Sequence, residues 1–302
     1  MLSVFFALLS AFSNAITAVL QRLANVSQPE TTNGWRRTAL ALVRDPRWLL
    51  GLLFMGGTFV FQAVALYFGQ LAVVQPVLVT ELIFTLALRQ FWLRDVIRPK
   101  TWSAAVMICG GLAAFLLAAH PEEGHRVATV GNWAWALGTR GAVVVLLLLA
   151  SRTGPPARRA ALLGCAAALV WAIDAAFVKA ATDLLSQSGW AALFVHWPLY
   201  AVVASGVLGT LLVEAAFTAG PLVASQSALL IVDPLASIAL GIELFGEHLR
   251  TSVPALTASV LGLAVMATGV VLISVWAPPS ITAHPRQPGT PPAPGNVAGL
   301  GM

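Results

Sequence analysis

Charged residues are scarce in this chain. They make up 10% of its 302 residues, whereas a water-soluble domain carries about a quarter. Hydrophobic residues make up 58%, and the mean hydropathy is +0.84. An ordinary soluble domain is therefore excluded. Because long apolar runs recur along the whole chain, the sequence predicts an all-α polytopic membrane protein lying in a lipid bilayer.

Cysteine and recognisable catalytic motifs are also scarce. Cys109 and Cys165 are the two cysteines, and both fall inside apolar segments, so no disulfide framework is expected. The sequence contains no His-Glu-x-x-His, no Gly-x-Ser-x-Gly and no phosphate-binding loop. We therefore expect neither an enzyme nor a cofactor. The net charge of +5 raises the alternative of a nucleic-acid partner, but the basic residues lie in short loops, where they determine membrane topology instead.

Nine apolar segments each approach the length of about 20 residues that a transmembrane helix needs. Only Gly69–Gln70 separates the second segment from the third, and only Gly220–Pro221 separates the seventh from the eighth. Both pairs are expected to form tight helical hairpins. The nine predicted spans are 2–22, 48–68, 71–93, 101–119, 131–150, 160–181, 195–219, 222–245 and 253–276.

The loop charges predict how the spans are oriented. Basic residues favour the cytoplasmic side of a membrane. One side of the membrane has three basic residues: Arg126, Arg250 and Lys179. The other side has twelve: Arg22, Arg36, Arg37, Arg44, Arg47, Arg94, Arg98, Lys100, Arg152, Arg158, Arg159 and Arg286. The side with twelve is therefore predicted to be cytoplasmic, which gives a plasma-membrane protein with its N-terminus outside and its C-terminus in the cytoplasm.

The two halves of the chain resemble each other. Residues 62–119 match 214–271 at an offset of 152, and 15–22 lie over 172–179. Spans 1–4 therefore correspond to spans 6–9, and a shift of five helices inverts the second copy. Such inverted repeats are a construction of secondary transporters. The expected divisions are a first repeat (1–119), a linker helix with its loops (120–159), a second repeat (160–276) and a disordered Pro/Gly-rich tail (277–302).

Acidic residues near the middle of apolar spans are the main candidates for a functional site. A charge facing lipid would cost at least about 2.5 kcal/mol, so these side chains should face the interior. Glu81 and Asp233 are 152 residues apart, and each is followed one helical turn later by a hydroxyl, Thr85 or Ser237. Asp174 is the third acid at this depth. The candidate substrate- or ion-binding residues are Glu81, Asp174, Asp233, Asn14, Gln62 and Arg140.

The residues leave the ligand open. Three carboxylates against one cation, Arg140, attract cations or protons. Glu81 and Asp233 are candidate ligands of Mg²⁺, which prefers oxygen donors and uses one or two carboxylates; the same acids can bind protons and drive antiport of an organic substrate. Alternatively, they pair with Arg140 and only hold helices together. A non-transporting scaffold would use the helices for packing alone, and a homodimer also stays open.

Several short motifs carry a resemblance to a known superfamily. They are Leu-Gln-Arg (20–22), Gly-Leu-Leu-Phe-Met-Gly-Gly (51–57), Val-Val-Gln-Pro-Val (73–77), Asp95 and Ala-His-Pro-Glu-Glu (119–123). With them, residues 1–276 resemble the drug/metabolite transporter superfamily, which includes EamA-like transporters, and within it the NIPA-type magnesium transporter group. The resemblance implies a helical bundle with inverted repeats that moves Mg²⁺ or a small metabolite.

Overall fold

The structure, a computed structural model, describes residues 1–26, 46–92, 94, 96–122, 124 and 128–276, with the backbone alone at 21, 22 and 24–26. Asp95 and the tail 277–302 lie outside the described residues. Within the described residues, nine helices are long and apolar enough to cross a membrane. The prediction of an all-α polytopic membrane protein is confirmed.

The described part of the chain is almost entirely helical. Several begin at a proline, whose fixed φ suits the first turn and whose missing N–H is not needed there. A π-helical turn, Gly241–Phe245, follows the ninth helix. The helices are α1 (Leu2–Val26), α2 (Pro46–Tyr67), α3 (Leu71–Leu78), α4 (Glu81–Trp92), α5 (Pro99–Ala119), α6 (Val130–Ala150), α7 (Pro156–Val195), α8 (Trp197–Ala219), α9 (Leu222–Leu240) and α10 (Val253–Trp276).

The third span is broken, whereas the sequence predicted one continuous helix over 71–93. Pro76 lies inside α3 and has no N–H to donate. After it the chain tightens: the N–H of Val79 bonds the carbonyl of Pro76, and that of Thr80 bonds the carbonyl of Val77. Glu81 then begins α4. The central acid of this span therefore stands at the junction between two helices.

The sixth span, formed by α7, is longer than the predicted 160–181. α7 continues to Val195 and changes direction at Gly189, whose φ of 75° is accessible to glycine. The next helix begins at Trp197, close to the predicted start at 195. The prediction used the length of the apolar run and therefore covered only 160–181. It missed the more polar part of α7 that follows.

Glycines bring α5 and α10 into close contact at their crossing. A Cβ on Gly111 would lie 2.5 Å from the carbonyl oxygen of Gly262, and one on Gly262 would lie 2.8 Å from the carbonyl oxygen of Gly111. A Cβ on the neighbouring Gly110 would meet nothing within 4 Å. Backbone approach of this kind is how small residues drive helix association in membranes. The crossing joins the fourth and ninth spans.

One end of the bundle ties the two halves of the chain together. Residues 119–122 pair with 248–250: the Glu122 and His248 N–H groups bond each other's carbonyls, and the Arg250 N–H bonds that of Ala119. The hairpin turn at Gly69–Gln70 lies at the same end, in contact with Lys179 of α7. We call this the hairpin end. The loop charges predict that it faces outside.

Candidate functional site

Glu81 is held by a side chain of the first helix. The amide nitrogen of Asn14 donates a hydrogen bond to Oε2 of Glu81. The hydroxyl one turn further along, Thr85, is not the group that bonds Glu81 in the structure. Asn14 was predicted as polar lining because it shares a face with Ser10 and Thr17, and that face is directed into the bundle, where Ser10 and Thr17 are buried.

Asp174 has the least solvent-exposed side chain of the three acids. It is 2% exposed on α7, and Ser205 of α8 lies 2.7 Å from its Oδ1. The same hydroxyl lies 2.7 Å from the carbonyl oxygen of Ala201. Gly206 leaves room beside the carboxylate, since a Cβ there would lie 3.8 Å from Oδ1. The neutral hydroxyl of Ser205 is therefore the side chain that contacts this buried acid.

Asp233 completes a group of three acids. Its predicted neighbour Ser237 contacts Oδ1 at 3.4 Å, which is long for a hydrogen bond between oxygens. The charges of Glu81 and Asp174 act on Asp233, although the three acids form no compact cluster in the described part of the chain. They lie on α4, α7 and α9, and Asn14 of α1 contacts Glu81. These helices belong to the first, third, sixth and eighth spans.

The three acids have neutral neighbours. In the described part of the chain, no lysine, arginine or histidine forms an ion pair with any of them. Glu81 and Asp233 lie deep among protein atoms yet keep part of their surface accessible. Buried charges without a partner are costly. The arrangement is suited to binding a proton or a cation.

Arg140 lies elsewhere. The sequence suggested it as polar lining or as a counter-ion for the central acids, but its guanidinium is 2.5 Å from Oε2 of Glu243. The pair joins the linker helix α6 to the π-helical turn. Gln62 is partly buried on α2, and no described side chain forms a hydrogen bond with it. Neither residue contacts the three acids through a hydrogen bond.

Polar residues in two spans lie differently from what their sequence pattern predicts. His196, Tyr200, Thr210 and Glu214 share one face of the seventh span, a pattern that predicts an inward-facing stripe, yet all four are exposed, His196 directly before α8 and the others on it. A different face of α8 is buried. It consists mainly of small residues, such as Ser205 and Gly209, that fit against α7. Arg89 lies near the end of the third span, where the sequence predicts that its side chain reaches the membrane surface, but the structure buries it.

No compact metal cluster is formed. In the residues that the structure describes, no group of three or more His, Cys, Asp or Glu side chains is arranged to hold a metal ion. Mg²⁺ commonly keeps several waters and uses one or two carboxylates, so Glu81 and Asp233 remain its candidate ligands.

Two residues at the hairpin end were missed by sequence reasoning. Glu247 follows the π-helical turn and accepts hydrogen bonds from the N–H groups of Leu71 (2.6 Å) and Ala72 (2.9 Å). Burial raises the pKa of its carboxyl, against the effect of these two bonds and of Lys179. Lys179 donates to the carbonyls of Leu66 (3.4 Å) and Gly69 (3.2 Å). Their partners are more than one hundred residues away, so no local pattern identifies them.

A cavity of about 440 Å³ opens at the hairpin end. Lys179 and Glu247 form part of its wall together with Gln70 of the hairpin turn. Trp133 of the linker helix also lines it and stacks on Phe177 at 5.2 Å between ring centres. Residues that join the two halves at this end therefore form part of the cavity wall.

Comparison with known proteins gives one informative similarity. No family model matches the chain, and no solved structure matches it. An uncharacterised protein of Corynebacterium glutamicum is 28% identical over 250 residues, which cover 83% of this chain and 86% of that protein. Since no activity is described for that relative, the function of this chain has to be inferred from the chemistry of its own site.

Proposed function

We propose that this protein is a secondary transporter that moves a small solute or cation across the plasma membrane by alternating access. The observation that supports the proposal is that three acids, Glu81, Asp174 and Asp233, lie inside a helical bundle whose described part has nine membrane-length helices, and no described cationic side chain forms an ion pair with them. Ionisable residues at such a depth normally belong to a substrate, ion or proton pathway.

The numbers of hydrogen-bond donors and acceptors around Asp174 support a proton as one of the ions that the site binds. The Ser205 hydroxyl has a single hydrogen, yet its oxygen lies 2.7 Å from both Asp174 Oδ1 and the Ala201 carbonyl. An ionised carboxylate and a carbonyl both only accept hydrogen bonds. Both short contacts are satisfied when Asp174 carries a proton and donates to Ser205, which then donates to Ala201. In this state Asp174 would hold the coupling proton.

Glu81 and Asp233 are the proposed sites for the transported cation. They retain accessible surface, and they stand at related positions in the two halves, 152 residues apart. Proline lies near both: Pro76 precedes the helix junction at Glu81, and Pro234 directly follows Asp233. The third span is interrupted at Glu81, as helices at transporter binding sites typically are, whereas α9 continues through Pro234. Mg²⁺ is the alternative to an organic cation, because carboxylates suit it.

The superfamily resemblance belongs to this proposal. Two helix pairs that correspond in the two halves pack alike, since α1 lies along α2 and α7 lies along α8. The crossing of α5 with α10 joins the last spans of the two halves. These contacts support two corresponding four-span halves with α6 as the linker helix, whereas membership of the drug/metabolite transporter superfamily is proposed from the sequence motifs alone.

The test is transport by purified protein in liposomes. Mg²⁺ flux and pH-gradient-driven uptake of organic cations are measured for wild type, E81Q and D233N. The matched control is E214Q, which neutralises an exposed acid on α8 away from the site. We expect both site variants to lose at least about tenfold of the rate, as removal of a charged ligand costs several kcal/mol, and E214Q to transport normally. Wild-type activity in folded E81Q and D233N would refute the assignment.

A further inference from the structure

Glu247 joins the two halves of the chain through backbone amides. Its carboxylate is 1% exposed, and its two oxygens accept hydrogen bonds from the first two N–H groups of α3. These N–H groups have no partner within their own helix, and the positive end of the helix dipole favours a carboxylate there. The contact spans 176 residues of sequence and fixes the loop after the eighth span onto the start of the third.

Lys179 makes a second connection at the same place. From α7 it donates to the carbonyls of Leu66 and Gly69, at the end of α2 and in the hairpin turn. Terminal helix carbonyls favour a cation. The Lys179 ammonium also lies 5.5 Å from the centre of the Phe245 ring, two residues before Glu247. One charged group of each sign thus holds the hairpin turn from the opposite half of the chain.

Two glycines accommodate the Glu247 side chain. A Cβ on Gly241 would collide with Oε2 of Glu247 and would lie 2.8 Å from its carboxyl carbon. Gly246 has a φ of 65°, in the left-handed region that favours glycine, and it turns the chain so that Glu247 points back at the hairpin. The local sequence is therefore built around the position of this carboxylate.

The third and eighth spans are in extensive contact at the hairpin end and not along the rest of their length. α3, the half of the third span at the hairpin end, packs against α9. Among the described helices, α4 packs instead against α1 and has no comparable contact with α9. The two spans that carry Glu81 and Asp233 are therefore closed at the hairpin end and separated beyond the central acids.

We propose that Glu247, with the amides of Leu71 and Ala72, is a latch that closes the hairpin end of the transport pathway. Lys179 reinforces it. This inference rests on the proposed transport function, in which each end must open in turn. Opening of the hairpin end requires the carboxylate to leave the two amides, so that α3 separates from α9 and the central acids become accessible from the cavity at that end.

The test labels a cysteine placed behind the latch. Gln75 is 3% exposed and lies one turn inside the two amides on α3. Q75C, in a background without native cysteines (C109A/C165A), is reacted with a membrane-impermeant maleimide in liposomes. Its rate is divided by that of S186C, an exposed position on α7. The comparison adds E247Q, in which an amide faces the two N–H donors, and G241A, which displaces the carboxylate without removing its charge.

E122Q is the matched control. Glu122 lies at the same end and is exposed, and its contacts with His248 are made by the backbone. We expect the relative labelling of Q75C to rise at least about fivefold in E247Q and G241A and to stay unchanged in E122Q. Unchanged labelling in folded E247Q and G241A, or an equal rise in E122Q, would overturn the latch. Labelling needs no substrate, so it is measured independently of transport. If E247Q and G241A raise the labelling but the wild type transports nothing, the proposed function is refuted and the latch is not.

Discussion

Asn14 on α1 donates a hydrogen bond from its side-chain amide to the carboxylate of Glu81 at the first residue of α4. The bond connects the first span to the junction in the third. It is the polar contact through which a ligand bound at Glu81 would act on the first helix.

Loss of this bond should destabilise the protein in a way that depends on Glu81. N14A leaves a buried acceptor without its donor, which costs about 1–3 kcal/mol. In an E81A background the same substitution should cost clearly less. A double-mutant cycle from chemical denaturation in detergent measures the difference. Equal costs of N14A in the two backgrounds would show that the bond contributes no coupling.

Asp174 should be the acid that binds the coupling proton. Ser205 Oγ lies 2.7 Å from both Asp174 Oδ1 and the Ala201 carbonyl, and a proton on Asp174 lets the single hydroxyl hydrogen serve the carbonyl while the acid donates to Ser205. Infrared difference spectra should therefore contain the carbonyl band of a protonated carboxyl group. The band should disappear in D174N and shift in S205A, while S186A on the exposed part of α7 should leave it unchanged. A wild-type spectrum without a band that D174N removes would contradict the hydrogen count.

The crossing of α5 and α10 predicts opposite effects for two adjacent glycines. G111A places a methyl group 2.5 Å from backbone atoms of Gly262 and Met266. Overpacking of this kind costs about 1–3 kcal/mol. G110A meets open space and should be neutral or stabilising by up to about 1 kcal/mol, since alanine favours helix over glycine. Thermal unfolding of both variants tests the crossing, and a stable G111A would contradict it.

The pair between Arg140 and Glu243 should contribute to stability and leave substrate binding intact. The contact lies at the π-helical turn and away from the central acids. R140Q and E243Q should each lower the unfolding temperature, and R140Q/E243Q should be no worse than either, because breaking one partner leaves the other uncompensated. Transport that survives in all three variants supports this role. Loss of transport in R140Q but not in E243Q would indicate that Arg140 belongs to the binding site.

The latch should respond to pH through Glu247. Because burial raises the pKa of this carboxyl in the closed state, that state holds a proton more strongly than an open, hydrated state. Raising the pH through the raised pKa should then favour opening and increase Q75C labelling relative to S186C. E247Q should remove the dependence. Lys179 and Asp183 of α7 act on Glu247, and His248 and Glu122 lie in the adjoining loops. A pH response that persists in E247Q would assign it to one of these groups.

The sequence predicted the nine spans and the acids because both signals are local. A carboxylate in an apolar run is visible without its neighbours, as Glu81, Asp174 and Asp233 are. The partners of buried groups are not local: Ser205 is 31 residues from Asp174, and Glu247 is 176 residues from Leu71. The face of α8 was mistaken because polar side chains were counted, whereas the small residues Ser205 and Gly209 decide which side packs.

The most direct measurement is transport by protein in which all three central acids are neutralised. Wild type, E81Q/D174N/D233N and the control E214Q are reconstituted at equal density, with proton flux and Mg²⁺ flux recorded in the same vesicles and a panel of organic cations supplied. We predict that wild type and E214Q exceed protein-free vesicles in at least one of these fluxes and that the triple variant does not. A folded triple variant that transports like wild type, or a wild type that moves none of these ions, would contradict the central claim.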